Sequence, residues 1–154
     1  TVHAYLRSAA PPYDCVDSAT TFNNTAGNAL SIFYNAPGGN YYLAINHRNS
    51  IETWSIVTGV LQPGSGITYD FTNSVSQAYG NNLKLKGSKY FIYGGDVNQD
   101  GYIDLSDIIP IHNNSSIFAA GYLQTDVTGD NFTDISDLLL AFNNALNNVH
   151  LIRP

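Results

Sequence analysis

The sequence predicts a mostly β fold with a small α part: an antiparallel Greek-key β-sandwich over residues 1–94, followed over residues 95–154 by two loops that each lead into a short exiting helix. In the first part, short strand-like runs alternate with turn residues, which is typical of a sandwich. In the second part, one stretch of sequence recurs after thirty residues. The chain is 44% apolar and only 12% charged, so it is expected to fold rather than remain disordered.

The first predicted strand is the clearest, because Val2, Ala4 and Leu6 alternate with more polar residues, as in a strand with one buried face. Further strands are predicted in runs rich in β-branched and aromatic residues, at 16–22, 29–34, 41–47, 51–56, 67–71, 83–86 and 90–93. Turn-forming residues separate these runs: Pro11-Pro12, Asn23-Asn24, Pro37-Gly38-Gly39, Asn49-Ser50, Pro63-Gly64 and Gly80-Asn81.

Charge is distributed unevenly between the two parts. Residues 1–94 carry four acids and five bases, whereas residues 95–154 carry eight aspartates and a single base, Arg153. Eight like charges in so short a stretch repel one another in a compact fold unless something positive lies among them. The second part is therefore expected to hold a positively charged ligand.

The eight aspartates fall in register within the repeat, since the residues that begin at position 95 recur from position 125. They occupy positions 1, 5, 9 and 12 of a twelve-residue loop: Asp96, Asp100, Asp104 and Asp107 in the first copy, and Asp126, Asp130, Asp134 and Asp137 in the second. In a loop of EF-hand spacing the remaining ligands are the side chain at position 3 and the backbone carbonyl at position 7. These are supplied by Asn98 and Tyr102 in the first copy and by Thr128 and Phe132 in the second.

Position 6 of such a loop needs a left-handed turn, and it is Gly101 in one copy and Asn131 in the other. These are the residue types that best tolerate that conformation. Hard oxygen ligands in this arrangement suit calcium far better than zinc or copper, and magnesium seldom receives so complete a protein cage. The alternative is a pair of acidic, solvated turns, but two matched copies favour calcium. We therefore predict two Ca2+ ions, one in each loop.

A helix is predicted after each loop. In the second copy, apolar residues recur at helical spacing and are expected to form one packing stripe: Ile135, Leu138, Leu139, Phe142 and Leu146. The first copy contains Pro110, so its helix is expected to be short or confined to a first turn. His112 is expected to be a half-buried packing residue rather than a ligand, because no second His lies at metal-binding spacing.

Residues 95–154 resemble the type I dockerins, whose paired calcium loops lack the entering helix of an EF-hand and end in Asp at position 12. The resemblance implies the same ligand positions and docking onto a cohesin-like partner. Dockerin helices carry basic and hydroxyl residues where they meet a cohesin, whereas here both helices run into Asn pairs, Asn113-Asn114 and Asn143-Asn144. Thrombospondin type 3 repeats are similar over the loops alone, but apolar helical stretches follow each loop here.

The stretch FYNAPGGNYYLAI at 33–45 resembles the Pro-Gly turn and Tyr-rich strand of transthyretin-like and carboxypeptidase-regulatory-like sandwiches. A sandwich followed by paired calcium loops is similar to modules at the ends of large secreted bacterial proteins, which implies an extracellular or cell-surface location and attachment without chemistry of its own. The chain contains no Met and its first residues lack signal-peptide features, so we expect a processed portion of a larger product.

Composition also bears on several other functions. Six Lys and Arg residues at a net charge of -6 argue against a nucleic-acid binder, and no apolar run is long enough to span a membrane. The polar cluster of His47, Arg48 and Glu52 lacks an accompanying nucleophile motif, phosphate loop or cofactor fingerprint, so we predict a solvated hairpin with an ion pair, no catalytic residue and no enzyme. The single Cys15 is predicted to be a small buried hydrophobe.

Two features of the sequence suggest an interaction with sugars. Eleven Tyr residues, Trp54 and eighteen Asn residues suggest a carbohydrate-binding module, although strands also favour aromatic residues. Glycan attachment is a weaker signal: N-x-Ser/Thr triplets begin at Asn23, Asn113, Asn114 and Asn131. Asp17-Ser18-Ala19 also resembles an O-glycosylation signal of some secreted bacterial proteins, with Ser18 as the attachment point.

These features together predict a non-catalytic, calcium-stabilised extracellular structural protein that associates with copies of itself, head to tail, into a filament or surface array. The strand at Val2–Leu6 and the alternating Val149 and Leu151 are the expected donors to a neighbour's sheet edge. The alternatives are docking to a cohesin-like partner, a carbohydrate-binding module, and a monomer whose two ends pack on their own domains.

Overall fold

The computed structural model describes residues 1–24, 26–56, 66 and 68–154. The protein is mostly β, with antiparallel sheets and two helices, as the sequence predicts. No helix in the described ranges is both long and apolar enough to cross a membrane.

The chain forms two compact units. The first unit comprises Thr1–His47, Glu52–Phe91 and Ile152–Pro154. The second unit comprises Arg48–Ile51 and Ile92–Leu151. The second unit therefore contains both acidic loops and a short stretch from the turn that follows residue 47.

The first unit contains a four-stranded antiparallel sheet in the order β2-β1-β3-β4. Its strands are β1 (Val2–Ser8), β2 (Cys15–Thr21), β3 (Tyr41–His47) and β4 (Thr53–Trp54). β1 is a central strand that pairs with β2 on one side and β3 on the other. Among the described residues, β2 pairs with β1 and with no other strand, so it is an outer strand of this sheet.

The four-stranded sheet buries side chains on both of its faces. Ala4 and Leu6 of β1 are almost completely buried on one face, because alternate residues of a strand point the same way. Ala44 pairs with Tyr5 and with Trp54, so Ala44 and Trp54 are buried on the other face. The alternation predicted for β1 is thus confirmed at Ala4 and Leu6. The predicted burial of Cys15 is wrong: this residue begins the outer strand and is exposed.

A second antiparallel sheet consists of two short strands, β5 (Lys84–Lys86) and β6 (Lys89–Phe91). No strand occurs at 68–71, where the sequence predicts one; Tyr69 instead donates a hydrogen bond from its hydroxyl to the Gln77 carbonyl at 2.5 Å. Ile67, the first residue of that predicted strand, and the predicted turn Pro63-Gly64 lie outside the described residues.

The strand predicted at 29–34 is also wrong. This segment forms no ladder, and Leu30, Ile32 and Tyr34 are 77%, 52% and 84% exposed. Just beyond it, the backbone N–H of Asn35 donates to the Asp17 carboxylate on β2 at 2.7 Å. That hydrogen bond is the main cause of a lowered pKa at Asp17. We call Leu30, Ile32 and Tyr34 the exposed apolar segment.

The helices of the second unit are α1 (Leu105–Ser115) and α2 (Ile135–Leu146). The prediction of a shortened first helix is wrong, because α1 continues through Pro110 to Ser115. Burial of Asp107 and Ile111 on either side of the proline holds the helix in place. The missing N–H of Pro110 costs one intrahelical hydrogen bond, which this packing offsets.

Most of the apolar stripe predicted on α2 does not face the core, although its member Leu138 packs against a buried cluster. Four of its members are largely exposed: Ile135 at 61%, Leu139 at 52%, Phe142 at 47% and Leu146 at 66%. The buried face instead carries Asp137, Ala141 and Asn144. His112 on α1 is likewise exposed rather than half-buried, since its neighbour Ile111 takes the interior position.

The two repeats are joined by reciprocal backbone hydrogen bonds. Thr133 of the second loop donates to Ala119 after α1 at 2.7 Å, and Ile103 of the first loop donates to Val149 after α2 at 3.0 Å. A second reciprocal pair consists of Gly121 donating to Asn131 and Leu151 donating to Gly101. In each pair of bonds, the two donors lie thirty residues apart and so do the two acceptors, which are therefore equivalent positions of the repeat. Each loop thus pairs with the segment that leaves the other repeat's helix.

The buried core of the second unit also contains equivalent residues from both repeats. Val97, Ile111 and Ala141 form one buried cluster, and Val127 packs against it. Val149 belongs to a second buried cluster. Both segments that the sequence offers as strand donors are therefore packed within their own units, β1 in the four-stranded sheet and residues 149–151 along the first loop.

Candidate metal centre

The aspartate at position 12 ties each loop to the start of its helix. In the first loop, Oδ1 of Asp107 accepts the backbone N–H groups of Val97 at 2.8 Å and Asn98 at 3.2 Å. Its Oδ2 accepts the N–H of Asp104 at 3.0 Å, which completes a capping box at α1. The carboxylate is fully buried, and burial raises its pKa above the ordinary value.

Asp96, at position 1, is the second buried acid of the first loop. Its two oxygens accept the N–H groups of Asp100 and Gly101, each at 3.2 Å. Burial, together with the nearby Asp107 charge, raises the pKa of Asp96 to about 6. Two carboxylates in this low-dielectric setting repel each other when both are ionised.

The outer ligand positions of the first loop are more exposed. The side-chain oxygen of Asn98 accepts the N–H of Asp100 at 2.9 Å, and the Asp100 carboxylate accepts the N–H of Tyr102 at 2.9 Å. Asp104 caps α1 by accepting the N–H of Ser106 at 2.7 Å. Hydrogen bonding from the Ser106 side chain, and then from this N–H, lowers the pKa of Asp104. These contacts wrap the backbone around the carboxylates, as EF-hand spacing requires.

The second loop repeats this pattern. Asp137 accepts the N–H groups of Thr128 at 2.7 Å and Asp134 at 2.9 Å. Asp126 accepts those of Gly129 at 2.7 Å and Asn131 at 3.2 Å. The remaining contacts are the N–H of Phe132 to Asp130 at 3.0 Å and the N–H of Ser136 to Asp134 at 2.6 Å.

Both predicted left-handed positions adopt the expected backbone conformation. Gly101 has φ of 88° and Asn131 has φ of 77°. The turn lets the chain reverse direction between the inner and outer ligand positions, which Gly and Asn tolerate at low cost. The loop geometry predicted at position 6 is therefore confirmed in both copies.

The donor set fits a hard divalent cation. Each loop brings buried carboxylates at positions 1 and 12 into one turn with two further aspartates and a neutral oxygen side chain, and these are the ligands that calcium prefers. In the part of the chain that the structure describes, no three His, Cys, Asp or Glu side chains already converge at metal-binding geometry. Their oxygens are instead engaged with backbone N–H groups of the same loop, as described above.

Residues outside the loops also contact them, and the sequence did not predict these contacts. The guanidinium of Arg48 lies 3.2 Å from the Asp126 carboxylate, and the Asn49 amide donates to the Asp126 carbonyl at 2.6 Å. The inner residue of each Asn pair also supports a loop: Asn114 donates to the Thr125 hydroxyl and Asn144 to the Gly94 carbonyl, both at 2.8 Å. The only sequence signal was that these Asn residues occupy equivalent positions in the repeat.

The polar cluster considered as a catalytic rival does not act as one group. Arg48 bonds to Asp126, whereas Glu52 accepts the indole N–H of Trp54 at 2.6 Å and lies 3.9 Å from Arg7. Trp54 is only 1% exposed, so its ring is not a platform for a sugar.

Comparison of the chain with protein-family models, with curated proteins and with solved structures gave no match in any of the three.

Proposed function

We propose that this chain is a non-catalytic, calcium-stabilised structural protein of the extracellular space or cell surface that associates with copies of itself. The observation that carries the association is the exposure of apolar side chains on each of the two units. Exposed apolar patches on a folded protein mark sites of association. Calcium, one ion per loop, supplies the stability of the second unit.

The surface of the second unit is a groove between α1 and α2, with a volume of about 530 Å3. We call it the helix groove. It is lined by apolar residues of both helices, together with His112 and Asn113: Leu105, Ile108, Ile109, Leu138, Leu139 and Phe142. Leu105 is 68% exposed and Ile109 is 51% exposed, so the groove opens to solvent.

The surface of the first unit is the exposed apolar segment, which runs beside the outer strand β2. This segment carries three large side chains within five residues, each more than half exposed. Their exposure is unfavourable in free energy, because apolar area stays in contact with water. A groove on one unit and a projecting segment on the other are different surfaces. Contact between them in different copies is heterologous and yields an open chain unless the rotation closes a ring.

The test uses purified protein in calcium, examined by electron microscopy and analytical ultracentrifugation. We expect filaments from the intact protein, and none from the double variant Leu30→Ser/Ile32→Ser or from the groove variant Leu139→Ser/Phe142→Ser. Mixing the two variants leaves one intact contact, so the mixture is expected to stop at a heterodimer. Leu85→Ser, which alters an exposed leucine of β5, is the matched control.

Monomeric intact protein in calcium would contradict self-association. Filaments that persist in both double variants would instead contradict the assignment of these two surfaces.

Docking to a cohesin-like partner is the second candidate, and the helix groove is the observation that favours it. In that case the groove variant alone fails to bind the partner, the segment variant binds normally, and the purified chain stays monomeric. The two functions thus differ in whether a single protein species assembles.

We propose further that the first unit is a Greek-key sandwich related to the transthyretin-like and carboxypeptidase-regulatory-like domains. The support is that Ala4 and Leu6, which lie on the same face of the sheet, are almost completely buried, and their burial requires a layer that covers that face. Ala78 and Leu83, which lie outside the sheet, are also buried in this unit.

A further inference from the structure

Arg48 distinguishes the two acidic loops, which are otherwise alike in their aspartates. Its guanidinium Nη2 lies 3.2 Å from Oδ2 of Asp126, the first ligand position of the second loop. The same nitrogen donates to the Asp126 carbonyl at 2.8 Å, and Nε donates to the Leu123 carbonyl at 2.9 Å. One side chain therefore holds both the carboxylate and the entering backbone of the second loop.

The charge of Arg48 is fixed in position. Its side chain is only 15% exposed, and the guanidinium lies over the Tyr122 ring, 4.0 Å from the centroid. A guanidinium stays protonated at any physiological pH, and its planar fork loses little freedom when it bonds two acceptors. Partial burial also weakens screening by solvent ions.

The first loop has no equivalent. Within the described ranges, the ion pairs are Arg7–Glu52 and Arg48–Asp126, so neither includes an acid of the first loop. The carbonyl of Asp96 accepts a neutral amide, that of Gln99, at 2.5 Å. The repeats therefore differ by one fixed positive charge.

We infer that Arg48 is a built-in counter-cation of the second loop, which holds that loop in its folded conformation when calcium is absent and competes with calcium for Asp126. The second loop is consequently the weaker calcium site and the one less dependent on calcium. The competition rests on the proposed calcium function, whereas the holding role does not.

The holding role is tested by amide hydrogen exchange of the full chain in chelator. The informative amides are those of Gly129 and Asn131, which donate to Asp126. In Arg48→Gln they are expected to exchange about tenfold faster, from loss of a charge-assisted contact, while the Gly101 amide of the first loop is unchanged. Arg153→Gln removes the same charge from an exposed residue and is the control.

Arg48→Lys separates charge from packing. Lysine keeps the positive charge without the fork, so partial recovery of protection is expected. Equal exchange rates in wild type and Arg48→Gln would overturn the inference, and so would a Lys variant as unprotected as the Gln variant, since packing alone would then explain the effect.

The competition is tested by calcium calorimetry in two backgrounds, Asp107→Ala to leave the second site and Asp137→Ala to leave the first. Arg48→Gln is expected to tighten calcium binding at the second site about tenfold, by removal of a nearby like charge, and to leave the first site within about twofold. Unchanged or weaker second-site binding would overturn the competition. Absence of calcium binding in the wild type contradicts the proposed function instead, and the exchange experiment still decides the holding role.

Discussion

Asp96 is an acid whose burial makes the calcium-free protein sensitive to pH in an unusual direction. Its pKa is raised to about 6 in the folded protein, from an ordinary value of 3.8. Between these values the folded state binds more protons than the unfolded state, so the free energy of unfolding falls as pH rises. The raised pKa of Asp107 acts in the same sense. The lowered pKa values of Asp17, Asp70 and Asp104 act in the opposite sense, mainly below pH 3.8.

We therefore predict that the calcium-free protein loses stability between about pH 4 and pH 6.5, by at most about 3 kcal/mol from Asp96. Urea unfolding in chelator at a series of pH values measures this loss. Asp96→Asn, which cannot ionise, should remove most of the dependence in that range. A free energy of unfolding that increases from pH 4 to pH 6.5 in chelator would show that Asp96 does not titrate as described.

The residues of the loops were predictable to the extent that they depend on local spacing. The loop positions and the left-handed turns at Gly101 and Asn131 follow from a twelve-residue pattern present twice. Arg48 was not predictable, because it lies 78 residues from Asp126 in sequence and depends on the tertiary fold. Its polar neighbours in sequence, His47 and Asn49, favoured the prediction of a local hairpin over a contact with a distant loop.

At the scale of elements, α2 shows why periodicity predicted a helix but not its buried face. Apolar residues occur nearly all round this helix, so a stripe through Leu139 and Phe142 was only one choice of face. The structure buries Ala141 instead, because the backbone of Gly95 passes close to it. A large side chain does not fit there, and the larger residues are left on the outside.

This close approach predicts a specific effect of Gly95→Ala. A Cβ on Gly95 would lie 3.1 Å from both Cα and Cβ of Ala141, at φ of 120°. Gly121 has φ of 118°, but a Cβ added there would meet no atom within 4 Å. Gly121→Ala is therefore expected to lower the free energy of unfolding only through its unfavourable backbone conformation. Gly95→Ala is expected to lower it by about 1–3 kcal/mol more, because its Cβ also meets Ala141. Urea unfolding of both variants gives the difference, and equal losses would mean that the Gly95 contact relaxes freely.

The strand predictions for the first unit succeeded in some segments and failed in others. β1 was predictable because its alternation matches the buried positions Ala4 and Leu6. β3 was predictable from its residue types alone, because its buried residues Tyr41 and Ala44 lie on opposite faces. Residues 29–34 are rich in residue types that strands favour, but hydrogen bonds of the Thr21 and Asp17 side chains connect β2 to this segment and to Asn35, with no backbone ladder. An alternating pattern shows that a segment can form a strand, whereas the pairing depends on a partner edge that the pattern does not identify.

At the scale of the whole molecule, calcium is predicted to raise the melting temperature of the second unit. At a hundredfold excess over its dissociation constant, each occupied site adds about 2.7 kcal/mol to the free energy of unfolding. Calorimetry in calcium and in chelator measures the shift, with magnesium at equal concentration as the control cation. The double variant Asp107→Ala/Asp137→Ala should melt at one temperature in both conditions. A wild-type melting curve indifferent to chelator would contradict calcium binding.

The reciprocal bonds between the repeats make the second unit resemble a dimer whose two subunits happen to share one chain. The backbone N–H of Ile103 donates to the carbonyl of Val149, which follows α2, and the N–H of Thr133 donates to the carbonyl of Ala119, which follows α1. Each loop donor thus has its acceptor in the other repeat. An isolated half would leave both its loop donor and its trailing carbonyl without these partners, and it could recover them only by meeting a second half. Cutting the connection between α1 and the second loop should therefore yield two fragments that fold together but not apart.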